Sequence, residues 1–137
     1  MQKVVIDTNI FISFKKSISG SPSKVMDLIA DGKVELCYSP QILKEYEQTL
    51  AKPKFKFDVE YQELAIEDIK EIGTLVNHPA PSNIEIRDPD DKIFYDVAKE
   101  NNAILITGDD DLLVLAEPFI MSPADYLKHI AKDKEYL

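Results

Sequence analysis

Two short apolar runs that end in acid constrain this chain more than any other feature. Ala103-Ile104-Leu105-Ile106 stops at Thr107-Gly108 and passes into three consecutive carboxylates, Asp109, Asp110 and Asp111. Val4-Val5-Ile6 runs straight into Asp7-Thr8-Asn9. Apolar runs this short, with polar neighbours on both sides, fit strands buried on both faces of a sheet. Such strands present binding residues just past their carboxyl ends. If both lie parallel in one sheet, their acidic ends open on one edge.

Between these runs, strand and helix signals alternate. Lys3–Ile6 is the first strand, and Ile10 to Phe14 begins a helix behind the acidic edge. Lys15 to Gly20 is a polar loop. Ser21-Pro22, Ser39-Pro40 and Ser122-Pro123 each read as a Ser N-cap with Pro at the first helical position. The first helix so marked buries Val25, Met26, Leu28 and Ile29. The second follows the strand Glu35-Leu36-Cys37-Tyr38 and buries Ile42, Leu43, Tyr46 and Leu50. Tyr61 to Val76 reads as one long amphipathic helix with Leu64, Ile69, Ile72, Leu75 and Val76 inward. Ile84 to Arg87 reads as extended. Ile93, Phe94, Val97 and Ala98 recur at helical spacing ahead of the Ala103–Ile106 strand, which takes a central place. Asp109 to Ala116 is a short helix, Phe119-Ile120-Met121 an edge strand, and the last helix buries Tyr126, Leu127 and Ile130. The expectation is an α/β fold: a three-layer α/β/α sandwich with a mostly parallel central sheet.

At 137 residues the chain has the size of one domain, expected over 1–131, with a frayed tail over 132–137. No apolar run approaches the roughly 20 residues of a membrane helix. Met1-Gln2-Lys3 leads directly into a strand rather than a secretion signal, and the single Cys37 allows no internal disulfide. A reducing cytoplasm is the expected location. The net charge of −9 makes generic nucleic-acid binding poor, because phosphate contacts need Lys and Arg. Binding would need a local basic patch, or cations that neutralise a local acidic one. Lys52, Lys54 and Lys56, interleaved with Pro53, Phe55 and Phe57, are the one basic patch with aromatic partners. They would grip a phosphate backbone, or form a solvated turn anchored by two Phe rings.

Four acids fall at equivalent stations: Asp7 after the first strand, Glu45 early in the helix after the second, Asp91 at a helix mouth, and Asp109 after the Ala103–Ile106 strand. Carboxylates gathered on one edge repel unless a cation joins them. Oxygen-only ligands favour Mg²⁺ or Mn²⁺, and such ions on a sheet edge serve phosphoryl chemistry. Ordinary roles stay open for each residue. Asp91 and Asp109 suit helix N-termini, and Glu45 suits a solvated helix face. Asp7 is the hardest to explain that way, since a carboxylate directly after a buried strand needs a partner. Other chemistries lack parts. There is no glycine-rich phosphate loop, and His78, His129 and Cys37 have no metal-like spacing.

Four segments carry a resemblance: Val-Ile-Asp-Thr-Asn-Ile-Phe (5–11), Ser-Pro-Gln-Ile-Leu-Lys-Glu-Tyr (39–46), Asp-Pro-Asp-Asp-Lys-Ile-Phe-Tyr-Asp-Val-Ala (88–98) and Leu-Ile-Thr-Gly-Asp-Asp-Asp-Leu-Leu (105–113). Together they resemble the PIN-domain ribonuclease family, over roughly Lys3 to Ile130. The likeness is strongest to its toxin–antitoxin branch, related to VapC-type toxins. The resemblance implies a Mg²⁺- or Mn²⁺-dependent endoribonuclease with four acids, matched here by Asp7, Glu45, Asp91 and Asp109. Asp90 competes with Asp91 for the third place, and Asp111 assists Asp109. Thr8, Asn9 and Thr107 match the supporting polar positions. It also implies an RNA substrate, an antitoxin protein as partner, and a homodimer. The competing expectation is a PIN-fold module that binds RNA or protein without turnover; a third is an acidic metal-dependent phosphatase.

Overall fold

The computed structural model describes residues 1–13 and 20–132. The loop expected at Lys15–Gly20 and the frayed tail lie almost wholly outside those residues.

Among the described residues, five strands form one all-parallel sheet. They are β1 (Lys3–Ile6), β2 (Glu35–Tyr38), β3 (Thr74–Leu75), β4 (Ile104–Ile106) and β5 (Ile120–Met121), in the spatial order β3-β2-β1-β4-β5. The middle place belongs to β1, with β4 beside it, so the Ala103–Ile106 run is next to central rather than central. Val4, Val5, Ile6, Leu36, Leu105 and Ile106 are fully buried. Each such side chain contributes about 1.5–3 kcal/mol by leaving water.

Among the described residues, seven helices flank the sheet: α1 (Thr8–Ser13), α2 (Ser21–Ala30), α3 (Pro40–Leu50), α4 (Val59–Ile72), α5 (Lys92–Glu100), α6 (Asp110–Leu113) and α7 (Pro123–Ala131). α5 lies on β1 and β4 and touches α3, while α2 packs against α7, which also contacts β5. The three-layer α/β/α sandwich expected from the sequence is the fold observed. No helix among the described residues is long and apolar enough to cross a membrane.

Two of the three Ser-Pro starts hold. Ser39 Oγ accepts the Ile42 N–H at 3.2 Å, and Ser122 Oγ the Asp125 N–H at 3.1 Å. At the third, Gly20 takes the N-cap position and Ser21 is already helical.

The long helix expected to reach Val76 ends at Ile72. At Gly73 the backbone turns extended, and only glycine fits there, since a Cβ would meet Ile69 O at 2.7 Å and the Tyr38 ring at 2.9 Å. The chain then pairs with β2, and the Val76 N–H donates to Tyr38 O at 2.8 Å. Leu64, Ile72 and Leu75, expected inward, are exposed; Ile66 and Ile69 form the buried face. Ile84 to Arg87, expected extended, joins no strand ladder among the described residues.

Candidate metal centre at the sheet edge

β1 and β4 are adjacent and parallel, with Ile6 opposite Ile106. Asp7 and Thr107 therefore emerge side by side. The Asp7 N–H donates to Ile106 O at 3.0 Å. Thr107 Oγ1 donates to Asp7 Oδ2 at 2.7 Å and accepts the Asp109 N–H at 3.0 Å. Asp109 caps α6, its Oδ1 accepting the Asp111 N–H at 2.9 Å. One hydroxyl thus links the ends of two strands to the start of a helix. The Tyr46 hydroxyl, buried on α3, donates to Ile6 O at 2.6 Å and holds the residue before Asp7 from the other side.

Asp91 arrives by a different route. A 3-10 turn, Pro89–Asp91, leads into α5, and Asp88 Oδ1 accepts the Asp90 N–H at 3.0 Å. Asp91 stands at the N-cap position of α5 but caps nothing. Its Oδ2 is buried and has no hydrogen-bond partner among the described residues. One carboxylate oxygen from each of Asp91, Asp109 and Asp111 lies within 4.8 Å of the other two. A buried carboxylate oxygen without a donor is costly, and two more acids beside it add repulsion. A hard cation in the middle would satisfy all three, so the donor set fits Mg²⁺ or Mn²⁺.

The electrostatics agree with the crowding. Burial first, then the fields of Asp7, Asp109 and Asp88 and contact with Asp109, push the Asp91 carboxyl up to about 8. Burial raises Asp7 as well, against the opposing hydrogen bonds from Thr107 and the Thr8 backbone; Asp109 and Glu45 raise it further. Burial raises Glu45, followed by the field of Asp90, while Lys52 and the Thr49 hydroxyl pull it down. The Thr49 bond to Glu45 Oε1 is long, 3.5 Å.

A PIN domain family model matches residues 3–111. The chain belongs to the PIN domain family. It is 37% identical over 118 residues to an uncharacterized protein of Methanocaldococcus jannaschii, a match covering 84% of this chain and 76% of that protein. Among solved structures it is similar to VapBC2 from Rickettsia felis bound to a DNA fragment from their promoter. The TM-score is 0.59 at 14% identity, covering 88% of this chain and 97% of that one. At that identity the likeness is one of fold.

In this PIN domain the residues singled out in the sequence are not equally close to the centre. Asp91, Asp109 and Asp111 share one point, while Asp7 sits beside them, 3% exposed and tied to Thr107. Glu45 lies on the flank, where the acids that act on it are Asp90 and Asp88. Thr8 is buried, and its Oγ1 has no partner among the described residues; Asn9 and Asp90 are exposed. Asp111, expected as an assistant, is a full member of the trio. Its signal was the two-residue step from Asp109, the spacing that lets a capping Asp reach a backbone N–H.

Lys52, Lys54 and Lys56 are exposed around the 3-10 turn Pro53–Phe55. The Phe55 and Phe57 rings stack at 6.0 Å, and Lys54 Nζ lies 5.1 Å from the Phe55 centroid. Lys52, on the helical face of Glu45 and Thr49 continued past the end of α3, acts on Glu45. Sequence reading passed over Arg87, whose Nη1 lies 3.7 Å from Asp111 Oδ1.

Proposed function

We propose that this PIN domain is a Mg²⁺- or Mn²⁺-dependent endoribonuclease that hydrolyses RNA phosphodiester bonds, and that it is the toxin of a toxin–antitoxin pair. One observation carries the nuclease part: three carboxylates meet at the C-terminal edge of a parallel sheet, one with a buried, unpartnered oxygen. Asp7, Asp91 and Asp109, with Asp111, would hold the cation. When bound, it would supply Lewis-acid activation of water and neutralise charge on the phosphate. Asp91, its carboxyl pushed up by burial and by Asp7, would have to be deprotonated to serve as a ligand. Thr107 fixes the Asp7 carboxylate in one orientation. Glu45, on the flank and raised by burial, would serve as the base toward a water at the cation. Lys52, with Lys54 and Lys56 beyond it, offers the RNA backbone a cationic exit.

The toxin part rests on the fold shared with the VapBC2 structure and on a groove between α2 and α4. The groove holds about 650 Å³ and is lined by Met26, Leu64, Ile69 and Ile72 with Asp27 and Asp68 among them. Leu64 and Ile72 are exposed on it. An apolar groove with acidic residues suits the basic amphipathic helix of an antitoxin.

Cleavage of a mixed-sequence RNA, with chelator and with each ion, tests the nuclease. Binding without cleavage in every condition would favour the non-catalytic module, and turnover of small phosphate esters but not RNA the phosphatase. A small open reading frame beside this one would supply the antitoxin for co-expression. If there is none, the toxin part fails and the nuclease part stands.

A further inference from the structure

The acidic edge carries a cation of its own. Arg87 is the single arginine of the chain, and it directly precedes the turn that delivers Asp91. Its Nη1 lies 3.7 Å from Asp111 Oδ1, and Asp111 shares one point with Asp91 and Asp109. The Arg87 side chain is 86% exposed and that of Asp111 28% exposed, so the guanidinium stands on the solvent side of the trio.

This pair does little for the fold, since water and salt screen an exposed ion pair and ordering two side chains offsets what attraction is left. Nor is the guanidinium fork docked. A charge-assisted hydrogen bond spans about 2.7–2.9 Å, and this contact is longer. A planar fork with five donors, loosely held at the mouth of an acidic site, matches the paired oxygens of a phosphate. The need is plain as well: at a net charge of −9 and with acids along this edge, a polyanion must meet a positive group to approach.

We propose that Arg87 is a substrate-binding residue that trades partners. Arg87 neighbours Asp111 here; with that carboxylate engaged as a cation ligand, the guanidinium would be free to bind the non-bridging oxygens of an RNA phosphate beside the bond to be cut. This rests on the nuclease reading given above. It sets Arg87 apart from the lysine turn, which flanks Glu45 on α3.

The experiment compares the parent, Arg87→Ala and Arg87→Lys in three measurements. Calorimetry with Mn²⁺ alone, on chelator-treated protein, should show Arg87→Ala binding the ion at least as tightly as the parent, because a competing positive charge is gone. Anisotropy with a single-stranded RNA oligonucleotide, with Ca²⁺ in place of Mn²⁺, should show affinity falling roughly tenfold and the log–log salt slope flattening by about 0.7. Arg87→Lys should fall between the two. Steady-state cleavage should show the loss in KM rather than kcat. Weaker Mn²⁺ binding by Arg87→Ala would overturn the proposal, since Arg87 would then be ordering the acidic turn. Unchanged RNA affinity, salt slope and KM would overturn it too, with the nuclease reading intact. A parent that neither binds nor cleaves RNA overturns both.

Discussion

Thr107 Oγ1 donates to Asp7 Oδ2 at 2.7 Å, joining residues a hundred positions apart at the ends of neighbouring strands. Thr107 is fully buried and also accepts the Asp109 N–H. Thr107→Val keeps the shape and removes both bonds. It should cost about 1–3 kcal/mol of stability, because a buried carboxylate loses its donor. It should also raise the Asp7 carboxyl further and weaken cation binding by roughly 10- to 100-fold, as for other groups that orient ligands. Urea melts and Mn²⁺ calorimetry measure the two effects. Unchanged cation affinity would mean Asp7 is not among the ligands.

Asp91→Asn should abolish cation-dependent RNA cleavage, losing more than the 10- to 100-fold typical of outer-shell partners. Asp90→Asn should cost far less, since Asp90 is exposed and outside the trio. Asp7→Asn should resemble Asp91→Asn, with the fold of all three intact by circular dichroism. The reverse order for the 90/91 pair would make Asp90 the ligand.

Asp109 both caps α6 and belongs to the trio, and two substitutions separate these roles. Asp109→Asn keeps an oxygen for the Asp111 N–H and removes a charge, so without cation it should melt at or above the parent temperature. Asp109→Ala loses the cap as well and should be less stable by about 1 kcal/mol. With Mn²⁺ at a hundred times its dissociation constant, the parent should gain about 2.7 kcal/mol and both variants less. No gain by the parent would place cation binding after RNA binding.

Stability without cation should depend on pH in a direction set by Asp91. Its carboxyl is raised from the usual carboxylate range to about 8 in the folded protein. Between those values the native state holds a proton that the unfolded chain has released. Stability must therefore fall as pH rises from about 4 to about 8, and level off above. Raised Asp7 and Glu45 act in the same sense. Chemical denaturation in chelator at pH 5, 6.5 and 8.5 should show the decline in the parent and a shallower one in Asp91→Asn. Apparent Mn²⁺ affinity should climb over the same interval, because the ion displaces that proton.

Gly73→Ala should destabilise the protein by about 1–3 kcal/mol without touching the acidic edge. The new methyl would press on Ile69 O, which is backbone and cannot swing aside, and on the Tyr38 ring. A thermal melt that matches the parent would show that the α4–β3 corner can relax.

What the sequence determined by itself is local. The runs before Asp7 and Asp109 had to be strands because they are short, apolar and bounded by polar residues, and both are. Ser39 and Ser122 announced helix starts because a capping hydroxyl acts within three residues. The parallel edge followed, since two buried strands ending in acid leave few other places for the charge. Tertiary structure decided the rest. β3 has two residues, both exposed, and exists because the rim of β2 offers backbone partners, which no apolar period encodes. Helical spacing alone put Leu64, Ile69 and Ile72 inward; packing against α3 buried Ile69 together with Ile66 and left Leu64 and Ile72 exposed. Asp7, Glu45, Asp91 and Asp109 stood out at equivalent stations, yet their spacing in the chain gave no distances and did not show that Asp111 joins Asp91 and Asp109 while Glu45 stays on the flank. Ladder register put Asp7 against Thr107, the cap of α6 drew Asp111 in, and the turn before α5 brought Asp91 to both. Those are separations of a few ångströms between side chains far apart in the chain, and only the packing of the sheet sets them.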